Sequence, residues 1–222
     1  MPLNHNNRKD MPLIQNMRRN YTKQELIEST LPDHPFDLFD SWFHDAVKYE
    51  TVEPNAMVLA TASKSGIPSA RVVLLKEYDK NGFVFFTNYL SKKGKEMEAN
   101  PFAALVFHWN TLERQVRITG RITKVSREET ESYFRSRPRE SQISALISPQ
   151  SNPLETKDTL KQEAKAVEEQ YTGKDIPVPE NWGGYRVEPD SIEFWQGGPY
   201  RLHDRILYQF KPSGWGKTRL AP

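Results

Sequence analysis

The sequence predicts an α+β fold, mainly β, in which an antiparallel sheet closes into a barrel interrupted by helices. Three observations point to it. Five short segments rich in β-branched and aromatic residues follow one another closely between residues 56 and 125, joined by turn chemistry and not by the long crossovers a parallel sheet needs. Helical patterns interrupt these strands without alternating with them. A chain of 222 residues suits one substantial core, expected over residues 21–222 behind a polar, basic, aperiodic arm over residues 1–20.

In chain order, "PFDLFDSWFHDAVKYE" spaces Phe36, Phe39, Phe43 and Val47 by three and four residues, one apolar helical face that packs on a sheet. The strands "AMVLATAS", "SARVVLLKEY", "GFVFFTN", "FAALVFHW" and "RQVRITGRITKV" come next. "SKSGIPS" and "DKNG" are turns, the second with Asn81-Gly82 as a hairpin signal. "SKKGKEMEAN" reads as a short helix capped by Ser91, and "SREETESYFRSR" as one opened by a Ser126/Glu129 capping box and ended by Pro138. Helices are also expected in "RESQISALIS" and "KDTLKQEAKAVEEQY". The strands return as "GYRVEPDSIEFWQG", "DRILYQFKP" and "WGKTRLAP".

Composition removes several classes of function. A formal charge of +2, from 31 basic and 29 acidic residues, argues against a nucleic-acid-binding β-barrel module. With no cysteine, disulfides and thiolate metal sites are excluded. Neither a signal-like opening nor 18 consecutive apolar residues occurs, so a soluble cytoplasmic protein without membrane contact is expected. There is no phosphate-binding glycine loop, no metal-binding His-Glu-x-x-His and no Gly-x-Ser-x-Gly elbow, and no metal is expected.

What stands out is basic residues set into or beside apolar strands. Arg71 and Lys76 bracket the run Val72 to Leu75, expected to be buried, and should face opposite sides of a regular strand. Ser91, Lys92 and Lys93 sit at a helix start, where free N–H groups favour a phosphate, although a solvated lysine-rich turn explains the same letters. Tyr133 and Arg137 share a helical face, with Ser141 just beyond Pro138. They can converge on a phosphate or simply end a surface helix. Gln115, opposite in facing to Val116 and Ile118, can address the polar edge of a heterocycle, while Trp195 can stack on a ring or fill the core. In "WQGGPYRLHDR", an extended reading places Arg201, His203 and Arg205 on one face.

Taken together, "MRRNYTK", "RVVLLK", "FFTNYLSKKG", "TLERQVRITG", "YFRSRPRESQISA", "SPQS", "WGGYRV", "IEFWQGGPYRLHDR" and "RLAP" resemble the pyridoxine (pyridoxamine) 5′-phosphate oxidase family nearly end to end. The resemblance implies an FMN-binding split β-barrel with flanking helices, a homodimer carrying FMN at the subunit interface. It implies FMN contacts at Arg71, Lys76, Phe86, Thr87, Lys92, Lys93, Gln115, Gln150, Ser151, Trp195 and Arg205. For the substrate it implies a phosphate clamp of Lys76, Tyr133, Arg137 and Ser141, with Arg201 and His203 at the pyridine ring as the catalytic pair. Arg18 and Tyr21 of the arm close over it.

The implied reaction oxidises pyridoxine 5′-phosphate or pyridoxamine 5′-phosphate to pyridoxal 5′-phosphate by hydride transfer from C4′ to flavin N5, with dioxygen reduced to hydrogen peroxide. The alternative is another split-barrel FMN oxidoreductase with a different substrate. Three departures from the family pattern stand out: Lys92 where arginine is common, Phe86 where tyrosine is common, and Glu53 where an aspartate is expected near the active site.

Overall fold

The computed structural model describes residues 20–50 and 52–222. Its nine strands are β1 (Ala56–Ala62), β2 (Pro68–Leu74), β3 (Glu77–Asp79), β4 (Gly82–Asn88), β5 (Phe102–Trp109), β6 (Arg114–Lys124), β7 (Trp182–Gln196), β8 (Asp204–Lys211) and β9 (Gly214–Leu220). The helices are α1 (Pro35–Tyr49), α2 (Lys92–Ala99), α3 (Arg127–Ser136), α4 (Arg139–Ile147) and α5 (Lys157–Gln170). All strand pairs are antiparallel, in the order β2-β1-β5-β6-β7-β4-β3, with β8 on the far half of β7 and β9 on β8.

The sheet curls without closing its ladder. Its end strands β2 and β3 are consecutive in the chain, separated by Leu75 and Lys76 alone, so these two residues bridge a seam between the sheet's two edges. The backbone N–H of Lys76 donates to the Val84 carbonyl at 2.9 Å and ties the bridge to β4. The single expected strand over residues 69–78 is thus two strands with a corner at Leu75. On the β2 edge the expectation of a buried Val72–Leu75 run fails: Val72 is 65 % exposed and only Leu75 is buried. An edge strand has a neighbour on one side only, and no described residue covers Val72.

Inside the curl lie Leu59, Phe83, Phe85, Leu105, Phe107, Val116, Ile118, Ile192 and Phe194, all essentially inaccessible. Helix α1 plugs one end. Phe39 meets Phe83 and Phe107 edge-on at 4.9 and 5.3 Å, and Trp42 meets Phe194 at 5.2 Å. The buried face of α1 is therefore Phe36, Phe39, Trp42 and Ala46, and Val47, expected on it, is 58 % exposed. A smaller core of Phe134, Ile143, Ile176 and Trp182 joins α3 and α4 to the sheet. The capping box of Ser126 and Glu129 forms as the sequence predicts, and Ser91 caps α2 by accepting the Gly94 N–H. No helix among the described residues is long and apolar enough to cross a membrane.

Candidate active site

A cavity of ≈460 Å³ opens at the seam. Its wall contains Arg71 from β2, Lys76 from the corner, Phe86 and Thr87 from β4 and Lys93 from α2. Tyr133, Arg137 and Ser141 enter from α3 and α4, with Gln150 and Trp182 completing it. The corner at Leu75 explains how Arg71 and Lys76, five residues apart, reach one cavity instead of opposite faces. Among the described residues, four cationic side chains and no carboxylate line it, the charge pattern of a site for anions.

Each cation is held differently. Arg71 lies against Glu96, 3.3 Å away, and donates to Thr61 Oγ1 at 2.6 Å and to the Ser69 hydroxyl. Burial pushes the Glu96 carboxyl up, but the Ser69 and Thr61 hydroxyls and the Arg71 guanidinium outweigh it and hold it below 4.5. Lys93 donates to Gln150 Oε1 at 2.8 Å and to Thr87 Oγ1 at 3.2 Å. Burial, with the nearby Arg71 charge, holds its ammonium below 10.5. Arg137 lies over the Trp182 ring at 4.6 Å, its pKa lowered by burial. Its buried Nη1 has no hydrogen-bond acceptor among the described residues, a cost a phosphate oxygen would remove. Phe86 and Tyr133 stack at 4.0 Å, with the Lys76 ammonium 6.0 Å from the Tyr133 ring. Lys92 and Ser151 neighbour wall residues in sequence but do not line the cavity; Lys92 is exposed, and Ser151 has a left-handed φ of 72°.

The remaining expected residues form a second group. Gln115, Trp195 and Arg205 stand side by side in register across β6, β7 and β8. Arg205 grips Glu193 with two nitrogens and donates to the Ala221 carbonyl at 2.9 Å. Arg117 also reaches Glu193, at 3.5 Å, and donates to Gln115 Oε1. The His203 ring is 4.8 Å from Trp195, and Tyr21 meets both edge-on at 5.7 Å.

The extended reading of the Arg201–Arg205 row fails. Pro199–Arg201 is a tight turn with Tyr200 and Arg201 at left-handed φ of 53° and 63°, and β8 begins only at Asp204. Gly197, Gly198 and Pro199 turn the chain tightly, so Arg201 projects exposed from a loop and only Arg205 sits in the strand. Arg18 and the arm before Asn20 lie outside the described residues. Sequence reasoning passed over Trp182, Glu96, Glu113 and Glu193. Of these, Glu96 has a readable signal, its position four residues after Lys92 on α2.

A curled antiparallel barrel split at a seam, with a cationic cavity there, defines a split-barrel protein of the kind that binds phosphorylated cofactors. Residues 43–171 match the family described as pyridoxamine 5′-phosphate oxidase, and residues 182–222 match the pyridoxine 5′-phosphate oxidase C-terminal dimerisation region. The chain belongs to the pyridoxamine 5′-phosphate oxidase family. It is 52 % identical over 212 residues to a pyridoxine/pyridoxamine 5′-phosphate oxidase of Polynucleobacter asymbioticus, covering 96 % of this chain and 100 % of the relative. Identity to the Pseudomonas fluorescens protein of that name is 50 %, covering 94 % and 98 %. Among solved structures, PhzG from Burkholderia lata, in complex with tetrahydrophenazine-1-carboxylic acid, superposes with a TM-score of 0.83 at 28 % identity, covering 90 % of this chain and 99 % of that one. An FMN-binding protein from Nostoc punctiforme shares the fold, with a TM-score of 0.68 at 15 % identity over 87 % and 99 % of the two chains.

Proposed function

We propose that this protein is an FMN-dependent oxidase converting pyridoxine 5′-phosphate or pyridoxamine 5′-phosphate to pyridoxal 5′-phosphate, acting in the cytoplasm as a homodimer. The observation that carries the reading is the seam cavity: four cations, hydroxyls and a buried unpaired Arg137 nitrogen suit phosphate esters. The relatives at about half identity supply the reaction class.

The donor set fits FMN. Arg71, Lys76, Lys92 and Lys93, with Thr87, Gln150 and Ser151, would hold its phosphate end, beside Phe86. Gln115, Trp195 and Arg205 would address its ring. Thr87 stands opposite Gly183 and Gln115 opposite Trp195, twelve residues further along β7. That separation is up to about 40 Å of strand at ~3.3 Å per residue, which sets the two groups toward opposite ends of β7. This supports a site completed by two copies of the chain, in keeping with the dimerisation region at residues 182–222.

FMN held by these residues would supply the oxidising chemistry, a hydride acceptor at N5 for the hydrogen on C4′, with dioxygen as the final electron acceptor reduced to hydrogen peroxide. The protein's share is placement. Lys76, Tyr133, Arg137 and Ser141 clamp the substrate phosphate, and Arg201, His203, Arg18 and Tyr21 close on the pyridine ring. His203 Nδ1 accepts the Gly198 N–H at 3.1 Å. An amide N–H only donates, so in neutral His203 the ring proton is on Nε2. With Nδ1 engaged, His203 would meet the substrate through Nε2, beside Arg201.

The test is an absorbance spectrum of FMN-loaded protein during anaerobic addition of pyridoxine 5′-phosphate. Bleaching of the flavin band that reverses in air is the expected result. A band that stays oxidised redirects the assignment to a split-barrel enzyme with another substrate.

A further inference from the structure

We propose that Glu113 is the positioning residue that sets Tyr21 against His203 and Trp195, acting from both sides of the contact. Its carboxylate Oε2 accepts the backbone N–H groups of Thr22 at 2.9 Å and Lys23 at 3.3 Å. Its carbonyl accepts the Gly197 N–H at 2.8 Å. Tyr21 lies on the bare backbone of Gly197, where a Cβ would come within 2.6 Å of the ring. One residue thus fastens the segment that carries Tyr21 and the turn that Tyr21 covers.

The anchoring is built in. Glu113 is 3 % exposed and holds φ at 58°, a conformation that costs a non-glycine residue free energy and persists where surrounding contacts enforce it. Two further ties follow in the same segment. Gln24 accepts from Arg114, itself buried between Asp45 and Gln196, and the Leu26 N–H donates to Asp204 at 3.0 Å. Glu113 is the tie next to Tyr21. Because the backbone donors are fixed in number and direction, the carboxylate sets where the chain lies and not merely whether it stays bound.

This inference rests on the proposed oxidase reading for its catalytic consequence, and on hydrogen bonds alone for the placement. Glu113→Gly removes the carboxylate while suiting the left-handed backbone. Glu113→Gln keeps an acceptor oxygen, and Thr22→Pro deletes one donor from the exposed side of the pair. For pyridoxine 5′-phosphate oxidation, Glu113→Gly and Thr22→Pro are expected to raise KM about tenfold, the scale of one charge-assisted hydrogen bond, with little change in kcat. Glu113→Gln, which keeps an acceptor oxygen but not the charge, is expected to raise KM less than Glu113→Gly does. Added to Tyr21→Ala, Glu113→Gly costs nothing further, since it acts through that ring. Trypsin cleavage after Lys23 accelerates in Glu113→Gly and Thr22→Pro, with or without FMN.

A loss that adds to that of Tyr21→Ala, a fall in kcat at unchanged KM, or an unaltered cleavage rate at Lys23 overturns the assignment. Parent protein that fails to oxidise the substrate overturns the oxidase reading instead, while the cleavage rates still decide the role of Glu113 in placement.

Discussion

Arg205 and Glu193 form a two-pronged ion pair across β7 and β8, with Nε to Oε1 at 2.8 Å and Nη2 to Oε2 at 3.2 Å. The hydrogen bonds to Glu193 raise the Arg205 pKa and fix the guanidinium plane beside Trp195. Glu193→Ala leaves Arg205 and Arg117 without that anchor. FMN affinity, followed by quenching of flavin fluorescence, is expected to fall about tenfold. An unchanged affinity means that Arg205 needs no such support.

Arg137 is planar, stacked on Trp182 and short of one acceptor. Lysine has neither the fork nor the stacking surface. In Arg137→Lys, kcat/KM for pyridoxine 5′-phosphate should drop by at least about tenfold while FMN affinity holds within about twofold. Parallel loss of both would assign Arg137 to the flavin.

Lys93 has a distinct pH signature. Its folded pKa lies below 10.5, so between that folded value and 10.5 the unfolded chain binds more protons. The Lys93 contribution to stability without ligand therefore increases with pH across that window. Phosphate binding has the opposite sign, since the anion favours the charged ammonium. FMN affinity measured by titration should weaken as pH rises toward 10.5, and Lys93→Arg should flatten the profile.

Gly94, in the first turn of α2, approaches the Tyr89 backbone so closely that a Cβ would sit 2.1 Å from its carbonyl oxygen. Backbone cannot give way as a flexible side chain can. Gly94→Ala is expected to destabilise the fold by about 1–3 kcal/mol and to displace Lys93 and Glu96 with the helix. Urea unfolding with and without FMN checks both effects.

Local chemistry was readable where it is local. The Ser126/Glu129 capping box and the Ser91 cap appear where their spacing puts them; the hairpin at "DKNG" forms one residue earlier than its Asn81-Gly82 signal, with Lys80 and Asn81 as the loop and Gly82 opening β4 opposite Asp79. Val47 misled because apolar spacing fixes a stripe only to within neighbouring residues, and Trp42 and Ala46 took the inner side. The Arg201–His203–Arg205 row misled because two glycines and a proline permit a tight turn, here with left-handed backbone at Tyr200 and Arg201, as readily as a strand. The corner at Leu75 joins two local hairpins, β1–β2 and β3–β4, which the pairings of β1 with β5 and of β4 with β7 carry to opposite ends of the strand order, information that no short segment contains. Arg71 and Lys76 could be recognised as unusual, yet their meeting at one cavity follows only from the curl of the whole sheet.

The stretch of β7 between Gly183 and Trp195 has a genetic consequence. When each site draws its seam residues from one polypeptide and its Gln115–Trp195–Arg205 row from another, damage in the two halves is interchangeable between chains. A subunit lacking Arg71 paired with one lacking Arg205 gathers both lesions into one site and leaves the other whole. Co-expressing two inactive proteins should restore about a quarter of the parental sites under random pairing, so two defective alleles can complement each other where either alone fails.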